Sequence, residues 1–397
     1  MRIAIVNQRY GMEVAGGSEL YTRELAELLN RHYQVEVLTT CALDYVNWDN
    51  HYKKGLSTVN GVKVRRFTVE RLRNTLHFNT LYSALVESVA LGKNTPEQEQ
   101  QWVDEQGPYC PELVTYIKKN RDKYDVFVFI TYLYYPTVRG LEWVKDKAIL
   151  FPTAHDEPPI YFDIYKQIFN APKALGFLTQ EERVFVHDFF CNQHIPNDIL
   201  GYGIDLPEVI DAPAFCLKYE LYSDYIIYVG RVESSKGCDV LINYFVNYKK
   251  RHPSNLKLVL VGKVFFQLPY HPDIISLGFI SDEDKYNGIA GARVLVLPSQ
   301  YESLSIVTLE ALAVGTQVLV NGDSDVLKMH CQRSNAGLHY TSYPEFVCAL
   351  KYLLTHDDTC AKMRENGISY VKENYDARSI VVKFKNLAGT LNTIKTD

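Results

Sequence analysis

The apolar residues of this chain fall in short runs that alternate with stretches of helical spacing, and this pattern occurs in two separate series. The first series begins with a strand at Arg2–Val6, a helix at Ser18–Arg31 and a strand at Val35–Leu38, and it continues with strands at Tyr124–Thr131 and Ala148–Thr153. This alternation is typical of a parallel, doubly wound sheet. We therefore predict an α/β fold.

The second series starts near residue 225 and predicts a second sheet. Its strand candidates are Tyr225–Val229, Lys257–Val261, Ile274–Leu277, Arg293–Leu297 and Gln317–Val320, and helices fit at about 237–250, 283–291, 305–314, 344–355, 358–374 and 377–392. Because 397 residues leave room for two domains, we place a linker at Leu206–Ser223. The polar, glutamine-rich stretch between Phe78 and Gln106 is typical of a long connection and not of a core element.

Composition and charge argue against several classes of protein. The formal net charge of −5 disfavours a strongly basic nucleic-acid-binding protein. The longest uncharged apolar-rich stretch, Val126–Val138, is shorter than the ~18 residues of a membrane span, and the N-terminus shows no secretory signal. Eight cysteines without a C-x-x-C pair argue against a zinc module and a disulfide framework. We therefore expect a cytoplasmic protein with reduced thiols.

Glycines and charged side chains follow the predicted strands, at the edge where parallel sheets bind ligands. In the segment YVGRVESSKG, Gly230, Arg231 and Lys236 come directly after a strand. A guanidinium fork and an ammonium suit a pyrophosphate. The alternative is a solvated loop with two surface cations, and the spacing is not that of a Walker loop.

The segment PSQYESLSIVTLEALAVG (298–315) predicts a helix with a carboxylate on each side of its start. Ser303 or Ser305 can cap this helix, and its N-terminus offers N–H groups and a positive dipole to a phosphate. Glu302 and Glu310 are eight residues apart, which is about 12 Å or less along a helix. Glu310 could accept hydrogen bonds from a ribose diol and Glu302 from a transferred sugar. The alternative is a capped amphipathic helix with one carboxylate near its start.

In this order, these segments resemble the donor-binding half of family 4 glycosyltransferases of GT-B architecture. The resemblance runs through GRV-x-x-x-KG, LVG, LGF-I-S and LVLPS-x-YES-x-S-x-V-x-LEALA-x-G, in which Glu302 and Glu310 match the E-x7-E motif. It is strong over about 222–340 and poor over 50–145. Upstream, the positions that match are the glycine pair of the first loop, Gly16-Gly17, the histidine beside the donor sugar, His155, and the segment Gly203-Ile204-Asp205.

The resemblance implies two Rossmann-like domains facing across a cleft. Residues 1–207 would bind the acceptor, residues 208–375 would bind the nucleotide sugar, and a C-terminal helix over 376–397 would cross back to the first domain. The implied reaction is retaining transfer of a hexose to a glycan or lipid-linked glycan in polysaccharide or glycoconjugate biosynthesis. UDP-sugars are the favoured donors and GDP-mannose is the alternative. No metal, pyridoxal phosphate or other cofactor is implied.

The resemblance also assigns roles by position. The catalytic group consists of His155, Arg231, Lys236 and Glu302. The donor-binding group consists of Gly16, Gly17, Gly230, Gly262, Lys263, Phe279, Ile280, Ser303, Leu304, Ser305, Ile306 and Glu310. Family members often have E-[SG]-F-G where this chain has Glu302-Ser303-Leu304-Ser305. A serine at the glycine position keeps the amide but narrows the approach to the backbone, which bears on the preference for the donor sugar.

On the acceptor side, Tyr132, Tyr134 and Tyr135 follow a strand and could stack on sugar rings. Arg65 and Arg66 lie in the basic run 63–73, which could contact a lipid diphosphate or the anionic inner face of a membrane. The alternatives are ordinary burial of the tyrosines and a solvated basic strand.

Three further sequence features have competing interpretations. Trp102 with 106–108 could form a lid over the acceptor. Asp323-Ser324-Asp325 imitates a metal-binding D-x-D, but a loop or helix cap fits it better, and the adjacent residues 155–157 cannot easily share one ion.

Several other functions fit parts of the pattern. A GT-B phosphorylase or a sugar-nucleotide epimerase would share the architecture, and a catalytically inert subunit that binds a sugar nucleotide would share the motifs. A nicotinamide-dependent dehydrogenase is disfavoured because no G-x-G-x-x-G follows a strand.

Overall fold

The computed structural model describes residues 1–14 and 16–392 and divides the chain into two compact units. The N-terminal unit contains Met1–Gly201 and the chain from Arg378 onward, and the C-terminal unit contains Tyr202–Ala377. The first boundary therefore falls six residues before the expected 207/208 boundary. The reason is local, because the Ile204 N–H donates to the Tyr375 carbonyl at 3.1 Å, which ties this segment to the end of the C-terminal unit.

The N-terminal unit contains an eight-stranded sheet in the order β3-β4-β2-β1-β5-β6-β7-β8. Its strands are β1 (Arg2–Val6), β2 (Gln34–Thr40), β3 (Gly55–Val59), β4 (Val62–Phe67), β5 (Val126–Ile130), β6 (Ala148–Phe151), β7 (Ala174–Phe177) and β8 (Asn197–Ile199). Its helices are α1 (Gly17–Asn30), α2 (Thr75–Ala90), α3 (Pro96–Gln106), α4 (Pro111–Lys119), α5 (Tyr135–Gly140), α6 (Asp163–Asn170) and α7 (Gln180–Phe190). All neighbouring strands are parallel except β3 and β4, which form a hairpin that the sequence pattern did not predict.

The C-terminal unit contains a six-stranded, all-parallel sheet in the order β11-β10-β9-β12-β13-β14. Its strands are β9 (Tyr225–Val229), β10 (Lys257–Val261), β11 (Ile274–Gly278), β12 (Val294–Leu297), β13 (Val318–Asn321) and β14 (Gly337–Tyr340). Its helices are α8 (Ala212–Lys218), α9 (Cys238–Arg251), α10 (Asp282–Gly291), α11 (Ile306–Ala313), α12 (Asp325–Ser334), α13 (Tyr343–Thr355) and α14 (Asp357–Asn374). The predicted α/β fold with two parallel sheets is confirmed, while α12 and β14 are additions to the prediction. Helix α8 is a further addition, because it lies within the segment predicted as a linker.

The last helix, α15 (Ala377–Gly389), lies almost entirely in the N-terminal unit. The ring of Phe384 lies 6.4 Å from that of Tyr33, and the ammonium of Lys383 donates to the Ile199 carbonyl at 2.8 Å. Helix α15 therefore packs on the unit that holds the first sheet, and residues 393–397 of the helix expected over 376–397 lie outside the described residues.

The segment between Phe78 and Gln106 is helical and contributes to the core, contrary to the expected long connection. Thr95 and Gln98 form a capping box at the start of α3, with Pro96 as the first helical residue. Trp102 is 1 % exposed and packs edge-on against Phe162 at 5.0 Å, so it is a core residue and not a lid. Most of the polar residues that suggested a connection are exposed, although Glu99 and Gln106 are buried with Trp102.

Within the described residues, no helix is both long and apolar enough to span a membrane.

Candidate functional site

The strand order places one pair of loops in the C-terminal unit at the position where such sheets bind ligands. The order reverses between β9 and β12, and the crevice beyond the carboxyl ends of two such strands is the usual ligand site. The loops that leave these strands are 230–237 and 298–305, which are the two segments singled out in the sequence.

Close backbone packing brings these two loops together. Gly237 has a φ of 73°, and a Cβ at this position would lie 2.6 Å from the Pro298 carbonyl oxygen. Gly262 has a φ of 131°, and a Cβ there would lie 1.9 Å from the carbonyl oxygen of Gly230. A side chain at Gly237 would push loops 230–237 and 298–305 apart, and one at Gly262 would push the loop after β10 away from loop 230–237.

Two ion pairs connect the charged side chains of these loops. The ammonium of Lys236 lies 2.8 Å from a carboxylate oxygen of Glu302, and the guanidinium of Arg231 lies 3.2 Å from Glu233. Lys236 and Arg231 each keep 27 % of their side-chain surface exposed, so an anion from solvent can reach both. The structure thus places three of the predicted catalytic residues in adjacent loops.

Helix α11 starts at Ile306, directly after the segment Glu302-Ser303-Leu304-Ser305. Its preceding residue, Ser305, has a φ of 63°, in the left-handed region that residues with side chains rarely adopt. The predicted cap is wrong in detail, because the Ser305 hydroxyl pairs with the Thr308 hydroxyl at 2.8 Å and makes no cap hydrogen bond to the helix backbone. The first N–H groups of a helix have no acceptor within the helix and can bind an anion.

Glu310 lies one turn further along α11 and is 2 % exposed. Its Oε1 atom accepts a hydrogen bond from the Lys285 ammonium at 2.7 Å and from the Tyr286 hydroxyl at 3.1 Å. Burial disfavours the charged form of Lys285, but the carboxylates of Glu310 and Asp282 raise its pKa above the ordinary value. Glu310 is therefore a fixed carboxylate with a compensating cation.

The remaining donor-site candidates follow β10 and β11. Lys263 is exposed with its ammonium 5.3 Å from the ring of Phe265, and Phe279 is 68 % exposed. Ile280, which is partly buried, follows Phe279 and precedes Ser281, whose side chain caps α10. This loop therefore leads directly into the helix that carries Lys285.

The glycine pair of the first loop lies in the N-terminal unit, where it precedes α1. Gly16 has a φ of 153°, and a Cβ there would lie 2.1 Å from the Glu19 carboxylate. Glu19 is itself buried and accepts a hydrogen bond from the Arg9 Nε atom at 3.0 Å. The structure thus gives Gly16 a local packing requirement, whereas a Cβ at Gly17 would meet nothing within 4 Å.

We expect Gly16→Ala to lower the free energy of unfolding of the N-terminal unit by about 1–3 kcal/mol, because alanine is strained at this φ and meets Glu19. Gly17→Ala should raise it by about 0.5–1 kcal/mol, since alanine favours a helical position. All three tryptophans lie in this unit, so urea unfolding followed by tryptophan fluorescence measures both effects. Equal effects of the two substitutions would contradict this explanation.

His155 follows β6 and lies beside the carboxylate of Glu157. Its Nε2 atom lies 3.4 Å from Glu157, and the other oxygen of Glu157 accepts a hydrogen bond from the Tyr132 hydroxyl at 2.7 Å. Two residues before His155, Thr153 has a φ of 51°. The Ala154 N–H donates to the buried Glu182 at 2.8 Å, which holds the backbone beside this unusual residue.

Burial raises the pKa of Glu182 to about 7 from an ordinary value of 4.5, although the N–H groups of Leu178 and Ala154 lower it. The folded state then binds more protons than the unfolded state between pH 4.5 and 7. The contribution of Glu182 to the free energy of unfolding should therefore fall by about 3 kcal/mol as the pH rises through this window.

We expect Glu182→Gln to remove this dependence, so that the variant loses less stability than the wild type between pH 5 and 7.5. Urea unfolding by tryptophan fluorescence at both pH values measures the difference. Glu181→Gln, which removes the neighbouring carboxylate of α7, is the control. Parallel pH profiles of Glu182→Gln and the wild type would show that Glu182 does not titrate in this way.

The tyrosines proposed for the acceptor side are mainly structural. Tyr132 is 1 % exposed and Tyr135 is 6 % exposed, so neither ring is available to stack on a sugar. Tyr134 is half-buried with its ring 5.5 Å from that of Trp48. The correction follows from position, because these residues lead from β5 into α5 and pack into the core.

The two arginines of the basic run are also engaged within the N-terminal unit. Arg66 is 4 % exposed and donates to the Tyr10 carbonyl at 2.9 Å, so it does not present its charge to a headgroup. Arg65 is half-buried and donates to Glu36 at 2.7 Å. The basic run in the sequence does not show which of its residues are buried, because alternate residues of β4 point to opposite faces of the sheet.

The segment Asp323-Ser324-Asp325, which imitates a metal-binding D-x-D, lies at the start of helix α12. The side chain of Ser324 accepts a hydrogen bond from the Leu327 N–H and caps α12. Across the described part of the chain, no group of three or more His, Cys, Asp or Glu residues is arranged to hold a metal ion.

Sequence reasoning missed several residues that complete these sites. They are Glu233, Lys285, Tyr286, Glu182 and Glu19. The spacing of Thr179 and Glu182 is that of a helix start and could have indicated Glu182. Lys285 carries no such signal, because its partner Glu310 is 25 residues away in the sequence.

Comparisons with known proteins show similarity to glycosyltransferases in the C-terminal unit. Residues 220–370 match the family model described as "Glycosyl transferases group 1". An uncharacterized glycosyltransferase of Methanocaldococcus jannaschii is 30 % identical over 131 residues, 31 % of this chain and 33 % of that protein. The putative glycosyltransferase YtcC of Bacillus subtilis is 28 % identical over 190 residues, 43 % of this chain and 44 % of that protein. The chain thus spans between a third and a half of the length of these relatives.

Solved structures match nearly the whole chain. Sucrose-phosphate synthase from Thermosynechococcus elongatus has a TM-score of 0.72 at 16 % identity, over 98 % of each chain. Anabaena HepE in complex with UDP and glucose has a TM-score of 0.71 at 13 % identity, over 98 % of this chain and 100 % of that chain. At such identities the likeness shows the fold alone. The chain has the GT-B fold, and its residues 220–370 match the model of the glycosyl transferases group 1 family.

Proposed function

We propose that this chain is a retaining glycosyltransferase that moves a hexose from a nucleotide sugar to a glycan or lipid-linked glycan in the cytoplasm. One observation carries the proposal. At the point where the strand order reverses, two partly exposed cations and the start of α11 lie on adjacent loops, and the buried carboxylate of Glu310 follows one turn along the helix.

Each part of a nucleotide sugar has a chemical counterpart in this site. We assign the diphosphate to Arg231 and Lys236, whose charges suit phosphate oxygens. The ribose diol is assigned to Oε2 of Glu310, because Lys285 and Tyr286 both occupy Oε1. Glu302 and the backbone of 303–306 are assigned to the sugar. A diphosphate that draws Lys236 away from Glu302 would release that carboxylate for a sugar hydroxyl.

The proposed chemistry is electrostatic. The bond between the anomeric carbon and the phosphate oxygen breaks, the acceptor oxygen bonds to the anomeric carbon on the same face, and the leaving phosphate takes the acceptor proton. Arg231, Lys236 and the N-terminus of α11 would stabilise the charge that develops on the diphosphate. We propose that these groups do this without a metal ion.

The acceptor is assigned to the N-terminal unit. In the same unit, His155 lies 3.4 Å from Glu157 and is the candidate for binding hydroxyls of the donor sugar. UDP is the favoured nucleotide because HepE was also solved with UDP-glucose. GDP-mannose is the alternative donor. Contact with the inner face of a membrane is proposed only through a lipid-linked acceptor.

A thermal-shift panel of UDP-, GDP-, ADP- and dTDP-sugars in the presence of EDTA tests this proposal. A ligand at 100 times its Kd adds about 2.7 kcal/mol to the stability of the folded state, which moves the Tm by several degrees. We expect a shift from UDP-sugars alone. A shift from GDP-mannose would select the alternative donor, a shift that requires added metal would overturn the metal-free mechanism, and no shift at all would contradict donor binding.

A further inference from the structure

A buried histidine contacts the loop that precedes α11 from the protein interior. We call residues 302–305 the donor loop. His330, on α12, is 2 % exposed, and its Nε2 atom lies 2.8 Å from the carbonyl oxygen of Leu304 in this loop. Its Nδ1 atom lies 3.0 Å from the hydroxyl of Tyr370. The histidine therefore bridges the donor loop to α14.

The chemistry of the partners fixes the direction of these hydrogen bonds. The Leu304 carbonyl can only accept, so the proton of the neutral imidazole must be on Nε2. Nδ1 then accepts from the Tyr370 hydroxyl, and the Tyr370 oxygen is left to accept from the Tyr375 hydroxyl at 3.2 Å. The Leu304 carbonyl thus selects the tautomer, and the two tyrosine hydroxyls can orient to complete the chain of hydrogen bonds.

The donor loop needs such support because of Ser305. Its φ of 63° and ψ of 74° lie in the left-handed region, which a residue with a side chain adopts only where the surroundings enforce it. Two contacts do so. The Ser305 hydroxyl pairs with that of Thr308 on one side, and the carbonyl of the preceding residue, Leu304, is held by His330 on the other.

We infer that His330 is a positioning residue that fixes the Leu304 carbonyl and thereby keeps Ser305 left-handed and the donor loop in the shape that receives the donor sugar. That the loop receives a sugar rests on the proposed function, whereas its conformation does not. The inference also explains how serine can adopt the left-handed conformation at position 305, where glycine would adopt the same backbone without strain.

Amide hydrogen exchange in the ligand-free protein tests the positioning role without any substrate. The N–H groups of Thr308 and Leu309 donate to the Ser305 carbonyl and report its conformation. We expect them to exchange about fivefold faster in His330→Phe and in Tyr370→Phe. Tyr225→Phe is the matched control, since it removes a buried tyrosine hydrogen bond of 2.7 Å to Gly288 elsewhere in the unit.

Two outcomes of this experiment would overturn the inference. One is unchanged exchange at Thr308 and Leu309 in both variants, and the other is an equal increase in Tyr225→Phe. Because Tyr370→Phe keeps the ring and removes only one oxygen atom, it serves even if His330→Phe does not fold.

A double-mutant cycle with Ser305→Gly separates positioning from general stability. Glycine takes the left-handed conformation without strain, so the effect of Tyr370→Phe on exchange should shrink about threefold in that background. If Tyr370→Phe changes the exchange rates equally with serine and with glycine at position 305, the contacts of His330 and Tyr370 do not act through Ser305.

Calorimetric titration of Tyr370→Phe with UDP and with UDP-glucose tests the link to the sugar. We expect UDP-glucose to bind about tenfold more weakly and UDP to bind within about twofold of the wild type, because the donor loop is assigned to the sugar. Equal losses for both probes would overturn this link. If the wild-type protein binds neither probe, the proposed function fails, and the exchange experiment still decides the role of His330.

Discussion

Glu310→Ala is expected to weaken the binding of UDP by about 10- to 100-fold, because a ribose diol would lose hydrogen bonds to a charged acceptor. The same substitution should lower the free energy of unfolding of the C-terminal unit by about 1–3 kcal/mol, since it leaves the partly buried Lys285 with Asp282 as its remaining carboxylate. Calorimetric titration with UDP in EDTA measures the first effect, and differential scanning calorimetry measures the second.

The two effects of Glu310→Ala can be separated with Lys285. The double variant Glu310→Ala, Lys285→Met removes both buried charges and should recover most of the stability while UDP binding stays weak. Glu283→Ala, which removes an exposed carboxylate from α10, is the control for a change of net charge. UDP affinity that is unchanged in Glu310→Ala, or restored together with stability in the double variant, would remove the ribose role.

Lys236→Ala is expected to slow turnover by about 100-fold, which corresponds to the ~3 kcal/mol that one preorganised electrostatic contact contributes. The reason is that the proposed mechanism assigns Lys236 and Arg231 to the charge that develops on the leaving diphosphate. The initial rate of UDP release, with the UDP-sugar that gives the largest thermal shift, measures this effect.

Lys250→Ala is the matched control for this prediction, because it removes an exposed ammonium from the neighbouring helix α9. Its rate should equal that of the wild type. If Lys236→Ala also releases UDP at the wild-type rate, the diphosphate is not bound where Lys236 pairs with Glu302.

Most of the fold could be predicted from the sequence because it depends on periodicity. Buried parallel strands are nearly continuous apolar runs, and three of them, Arg2–Val6, Tyr225–Val229 and Lys257–Val261, have the observed bounds. The misses have a different cause. Helix α3 is polar over most of its surface, so Trp102 and its neighbour Val103 show their burial only when the tertiary structure is known.

The candidate site also has a part that could be predicted from the sequence and a part that could not. Residues near each other in the chain, such as Arg231 and Lys236, could be assigned to one loop from spacing alone. The partners that decide their state come from elsewhere in the fold. Glu310 meets Lys285, and Arg66 lies buried against Tyr10, because sheet order and strand facing bring distant segments together. Neither contact can be predicted from the local sequence pattern.

A crystal structure of the protein with UDP would test the central claim most directly. We predict electron density for the ribose diol within hydrogen-bond distance of Glu310, and for the diphosphate against Arg231 and Lys236, with the Lys236–Glu302 ion pair broken or lengthened from 2.8 Å. UDP bound away from these residues, or a diphosphate held by a metal ion instead of the two cations, would contradict the account.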